Sequence, residues 1–182
     1  MSKIAYLVII LWDSDEPDIA VGESYYIQPD GWVMSPGAAE VNGLSTEMLR
    51  EHGVPVARAL DAYVAAIKSG HIMVAYNAQF DGRVMRAELR RAGRDDMFEH
   101  TPNICVMRPL MTVMKGQRAP GAKGFPKLSE ACAHFGIANA RQHDAMGDAH
   151  AAHDILMRLI ELGALPEPAV HLAKEKPEGV AA

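Results

Sequence analysis

Ile72-Met73-Val74-Ala75-Tyr76-Asn77-Ala78-Gln79-Phe80-Asp81 sets the fold class. Ile72–Tyr76 is a short apolar run of strand-forming residues. Asn77–Asp81 connects it to a helix in which Val84, Met85, Glu88 and Leu89 recur at helical spacing to about Ala92, with Gly93 as the stop. A buried strand passing directly into a helix is the unit of a layered α/β fold. Carboxylates at such junctions point into the ligand crevice, which makes Asp81 a candidate site residue. The plainer reading of Asp81 is an acid in a first helical turn, favoured by the helix dipole.

Upstream, Ile4–Trp12 is a continuous apolar run and reads as a strand buried on both faces. Asp13–Asp18 is a turn, and Val21–Gln28 is a second strand ended by Pro29-Asp30-Gly31. The two strands form an antiparallel hairpin. Ser35-Pro36-Gly37 opens an irregular segment running to about Gly53, with a short helix over Ser45–Glu51 capped by Ser45. Val56–Ser69 is helical, with Ala59, Leu60, Tyr63, Val64 and Ile67 on one stripe.

Downstream, Ile104–Met114 reads as a helix interrupted by Pro109. Lys115–Lys127 is a flexible loop carrying Lys115, Arg118, Lys123 and Lys127 and no acidic residue. Lys127–His134 and Asp144–Leu162 are helices, the second the longest in the chain. The expected organisation is one domain over residues 1–163, followed by a Pro-, Lys- and Glu-rich tail over 164–182 that is disordered or loosely docked.

Composition narrows the function. The chain has 182 residues, 49% hydrophobic and 23% charged, enough for one globular core. Its two cysteines, Cys105 and Cys132, supply neither a disulfide scaffold nor a four-cysteine zinc site. A net charge of −5 argues against a broad basic surface for nucleic acid. It still allows an enzyme whose bound metal ions carry the positive charge. The longest apolar run is far shorter than a membrane span, and no small-residue cleavage site follows it. The expected setting is cytoplasmic, without membrane contact.

A second constellation lies in His143-Asp144-Ala145-Met146-Gly147-Asp148. Asp144 is the natural cap of the helix, which leaves Asp148 without a capping role. A His before a helix and an Asp in its first turns can share one site. The His can act as general base on water and the Asp can hold a hard divalent cation.

With Asp81, these residues resemble the DEDDh group of 3′–5′ exonucleases, which includes the epsilon subunit of bacterial DNA polymerase III and ribonuclease T. The second motif of that group, Asn-x-x-Phe-Asp after a strand, matches Asn77–Asp81. Its third, a His and an Asp five positions on, matches His143 and Asp148. Cys105-Val106-Met107, Pro126-Lys127-Leu128, Pro29–Trp32 and Val41–Glu47 match the intervening segments. The resemblance implies a ribonuclease H-like mixed sheet flanked by helices. It implies a metal-dependent 3′–5′ exonuclease acting on single-stranded DNA or RNA ends and releasing nucleoside monophosphates. By it, Asp81 and Asp148 hold Mg²⁺ or Mn²⁺, His143 deprotonates the attacking water, and Asn77 and Phe80 line the terminal nucleotide. A DNA polymerase subunit is the implied partner. Arg83, Arg86, Arg90 and the basic loop are candidates for phosphate contact, and the plainer reading of the three arginines is a solvated helix face.

The group's first motif, Asp-x-Glu on a central strand, has no counterpart in the preferred register. That register puts Lys3–Leu11 and Val21–Gln28 on the group's second and third strands, so the first central strand is missing. In a competing register Ile4–Trp12 is the first strand and Asp13-Ser14-Asp15 stands in for the motif. Two carboxylates hold one metal weakly rather than a close pair. The alternative function is therefore an exonuclease-like module that binds nucleic acid or a polymerase without turnover.

Overall fold

The computed structural model describes residues 3–16, 20–138 and 144–170. Strands β1 (Tyr6–Trp12) and β2 (Ala20–Tyr26) come first, followed by helices α1 (Pro36–Asn42), α2 (Thr46–His52) and α3 (Val56–Lys68). Strand β3 (Met73–Ala75), helix α4 (Ala78–Arg91), a 3₁₀ turn at Phe98–His100 and strand β4 (Asn103–Cys105) follow. Helices α5 (Leu110–Val113), α6 (Leu128–Phe135) and α7 (Ala145–Glu161) complete the order. No helix among the described residues is long and apolar enough to cross a membrane.

The hairpin forms as expected, with β1 and β2 antiparallel in the register Tyr6↔Tyr26 to Trp12↔Ala20. Its burial does not match. β1 was expected to be covered on both faces, yet all seven of its residues are only partly buried. The cause is the sheet itself. β1 belongs to a two-stranded sheet, and β3 and β4 form a separate parallel pair. Among the described residues no strand joins β1 to β3, so the mixed sheet is present as two halves. By ladder alternation, Tyr6, Val8 and Ile10 turn their main-chain groups away from β2.

The segment 104–114 corrects the sequence reading. Asn103–Cys105 is a strand, not the start of a helix, and pairs in parallel with β3 as Met73↔Asn103, Val74↔Ile104 and Ala75↔Cys105. All three of its residues are buried. Pairing with β3 outweighs local helical pattern here, and Pro109 lets a helix begin only after it. The irregular reading of 35–43 is also corrected. Ser35 caps α1 by accepting the Ala38 N–H at 3.3 Å, Pro36 occupies its first turn, and Gly43 ends it in the left-handed region.

Two cores hold these layers. Ile4, Ile27, Leu60, Ile67, Met85 and Leu89 join the hairpin to α3 and α4. Ile104, Val106, Leu110, Cys132, Ile155 and Leu159 join β4 and α5 to α6 and α7. Each fully buried aliphatic side chain contributes about 1.5–3 kcal/mol. Ala164 and Leu165 pack against the second core, and Ala169 exchanges hydrogen bonds of 2.9 and 3.0 Å with Asn103. The first residues past Gly163 are thus docked, and residues 171–182 lie outside the described residues.

Candidate active site

β3 delivers the chain to the site. Val106 and Met107 donate their N–H groups to the carbonyls of Ala75 and Tyr76, each at 3.0 Å, and fix the exit of the strand. Asn77 then caps α4, its side-chain oxygen accepting the Phe80 N–H at 3.4 Å. Its backbone carbonyl accepts the Asp81 N–H at 3.1 Å. Ala78 is 2% exposed and packs with Cys105 and Met107. That anchor orients the helix: Ala78, Asp81, Met85 and Glu88 follow one inward stripe by i, i+3 and i+4 spacing. Phe80 falls off the stripe and is 50% exposed.

Asp81 therefore turns inward. Burial raises its carboxyl from the usual range to about 6, and the hydrogen bond from its own backbone N–H opposes this. Desolvation is the first cause of that rise.

Asp148 sits in the first turn of α7, its N–H donating to the Asp144 carbonyl at 2.9 Å. Asp144 occupies the cap position as expected, although its carboxylate makes no capping bond. The charge of Asp148 is felt at Cys132 of α6, whose thiol is pushed up first by burial and then by Asp148 and Asp154. Cys132 and Tyr76 share the second core. Asp81 and Asp148 thus occupy the first turns of two helices linked through Tyr76 and Cys132. Asp148 is not among the causes that raise Asp81. His143 lies outside the described residues.

Among the described residues no three His, Cys, Asp or Glu side chains converge as a metal site. The donors present are two carboxylates, hard oxygen ligands that suit Mg²⁺ or Mn²⁺. Asp81, whose carboxyl burial desolvates, is a donor of that kind.

Asp13 and Asp15 lie in the turn after β1. They form an Asx turn, with the Asp15 N–H donating to the Asp13 side chain at 2.9 Å. Asp13 lines a cleft of about 150 Å³ with Leu11, Trp12, Glu16, Val21 and His71. His71 precedes β3, whereas Asp81 follows its exit. Arg86 and Arg90, candidates for phosphate contact, both close on Asp96 at 3.0 and 2.5 Å, tying α4 to the loop after it. Sequence reasoning missed Glu88 as a buried acid. It accepts the Ile4 N–H at 3.0 Å and pairs with Arg91. Its place on the apolar stripe of α4 was the available signal.

Residues 3–156 match the RNase T family, described as exonuclease, and the chain belongs to that family. A Mycobacterium tuberculosis protein named as a bifunctional exonuclease/endonuclease is 29% identical over 126 residues. That match takes 69% of this chain but 18% of the relative, so the chain spans about a fifth of that protein's length. The nuclease domain of 3′hExo, a DEDDh family member bound to rAMP, superposes with a TM-score of 0.73 at 13% identity. It covers 91% of this chain and 86% of that domain. Escherichia coli exonuclease I in complex with a dT13 oligonucleotide superposes with a TM-score of 0.70 at 23% identity. That match covers 88% of this chain and 39% of the other. These likenesses establish the ribonuclease H-like exonuclease fold.

Proposed function

We propose that the chain is a metal-dependent 3′–5′ exonuclease acting on single-stranded DNA or RNA ends. The supporting observation is Asp81, a carboxylate in the first turn of α4, directly after β3, that burial raises to about 6. Asp81 and Asp148 hold Mg²⁺ or Mn²⁺, which supplies Lewis-acid activation of the scissile phosphate. His143 takes the proton of the attacking water. Phe80, half exposed one position before Asp81, lies against the terminal base, and Asn77 orients the turn that carries both.

The test is a gel assay on 5′-labelled single-stranded DNA and RNA with Mg²⁺ or Mn²⁺. A ladder shortening from the 3′ end, abolished by Asp81→Ala and Asp148→Ala, supports the reading. Unchanged substrate from folded wild-type protein overturns it, and retained binding would then leave a non-catalytic nucleic-acid module.

A further inference from the structure

The basic loop between α5 and α6 ends in Gly124-Phe125-Pro126-Lys127, and its backbone is fixed on both sides of Phe125. Arg118 Nη1 donates to the Gly124 carbonyl at 2.7 Å. The Tyr76 hydroxyl donates to the Pro126 carbonyl at 2.7 Å. The Lys127 N–H donates to the Glu130 carboxylate, also at 2.7 Å. Pro126 is fully buried, yet Phe125 beside it is 46% exposed. An unrestrained loop would fold such a ring away from water. Here the backbone holds it outward.

The surroundings are cationic. Lys115, Lys123 and Lys127 are exposed. Arg118, with its side chain 13% exposed, pairs with Glu130 at 3.4 Å. The Lys127 N–H, and to a lesser degree Arg118, hold the Glu130 carboxyl below its usual range. Glu130 is thus engaged at the base of the loop, and Lys123 and Lys127 are exposed on either side of Phe125. An outward aromatic ring on a fixed backbone among ammonium groups matches the recognition chemistry of single-stranded nucleic acid, in which a base stacks on the ring and phosphates meet the cations.

We infer that Phe125 is a base-stacking platform for single-stranded nucleic acid, with Lys123 and Lys127 on the flanking phosphates. This rests on the proposed function in taking nucleic acid as the ligand, and it adds a contact apart from Phe80. Tyr76 ties the platform to the strand that leads into Asn77 and Asp81.

The test is fluorescence anisotropy of the full chain with a labelled single-stranded oligonucleotide, in EDTA so that no cleavage occurs. Phe125→Ala weakens binding about 5- to 150-fold, the range for loss of one stacked base, while Phe125→Trp keeps it. Lys123→Ala with Lys127→Ala lowers the salt dependence by roughly 0.7 per lost phosphate contact. An abasic nucleotide scanned along the strand weakens wild-type binding at one position and leaves Phe125→Ala binding unchanged there, a response that a structural role would not produce. Matching thermal melts show that the exposed substitution leaves the fold intact. If wild type binds and Phe125→Ala binds as tightly, the platform is overturned alone. If wild type binds no oligonucleotide, the proposed function is overturned and the platform with it.

Discussion

The Tyr76 hydroxyl reaches the carbonyl of Pro126, fifty positions along the chain, at 2.7 Å. It ties the exit of β3 to the end of the basic loop. Burial comes first among the causes that push the Tyr76 phenol above its ordinary range, so it stays protonated and donates at any working pH. Tyr76→Phe keeps the ring in the second core and removes only this bond. The expected cost is about 1 kcal/mol, read as a lowered urea midpoint with an unchanged slope. Amide exchange should quicken at residues 124–127 and not in α7. Uniform quickening would show that the bond does not hold the loop.

Gly53 ends α2 where the chain crosses β2. Its φ of −76° suits any residue, so conformational freedom is not the reason for glycine. A Cβ there would lie 2.2 Å from the Leu49 carbonyl oxygen and 2.6 Å from the Gln28 nitrogen, both backbone atoms. Those atoms are fixed by hydrogen bonds, since Gln28 N–H donates to Val54 at 2.9 Å and Val54 N–H donates to Tyr26 at 2.8 Å. Gly53→Ala should cost about 3 kcal/mol by overpacking. Gly37→Ala meets nothing within 4 Å and should stay within about 0.5 kcal/mol of wild type. Chemical denaturation of the pair decides this.

The parts of the fold that local pattern governs were readable. α2, α3, α6 and α7 lie within a residue or two of where capping and apolar spacing put them, and α4 starts at Ala78, inside the segment read as its connection to β3. Asp81's place at a strand–helix junction was legible because the apolar run before it and the helical spacing after it are both local, whereas the Asn77 cap was not read. β4 was not, because Ile104 and Cys105 take their conformation from Val74 and Ala75, about thirty positions away. The half-exposure of β1 was hidden for the same reason: an apolar run reports what a strand could bury, and the number of neighbouring strands sets what it does bury. Arg86 and Arg90 were candidates for phosphate contact because Asp96, which engages both, gives no periodic signal.

Glu88 fixes the start of the chain to α4. It is 4% exposed, accepts the Ile4 N–H at 3.0 Å and pairs with Arg91 one turn on. Glu88→Ala removes the acceptor of one and the counter-charge of the other inside a buried site. Breaking a buried pair this way costs about 3–5 kcal/mol. Glu88→Gln keeps an acceptor for Ile4 and should cost about half as much. The comparison is made by thermal and urea melts, with proteolysis near residues 3–5 as a local readout. Equal losses in the two variants would mean that the Arg91 charge pair, not the Ile4 bond, dominates.

The role proposed for Asp81 sets function against stability. Its carboxyl titrates near 3.8 when exposed and near 6 in the folded chain. Below about 3.8 both states are protonated and burial of the carboxyl carries no electrostatic penalty. Between 3.8 and 6 the folded state retains a proton that the unfolded state has released, so stability falls as pH rises. Above 6 the penalty is complete. A rise of this size corresponds to about 3 kcal/mol, and solvent access at this part-buried site reduces that to roughly 1–2 kcal/mol. In EDTA, Asp81→Asn should therefore be more stable than wild type by that amount near pH 8, and the two should converge near pH 3.5. Its nuclease activity should fall to background, the usual exchange of activity for stability at a site residue. On the proposed function Mg²⁺ would bear on the same carboxylate, because a divalent ion would compete with the proton and bind only the folded state. Added Mg²⁺ should raise the melting temperature of wild type near pH 8 and leave Asp81→Asn unmoved. Equal Mg²⁺ effects on both proteins would remove Asp81 from the metal site.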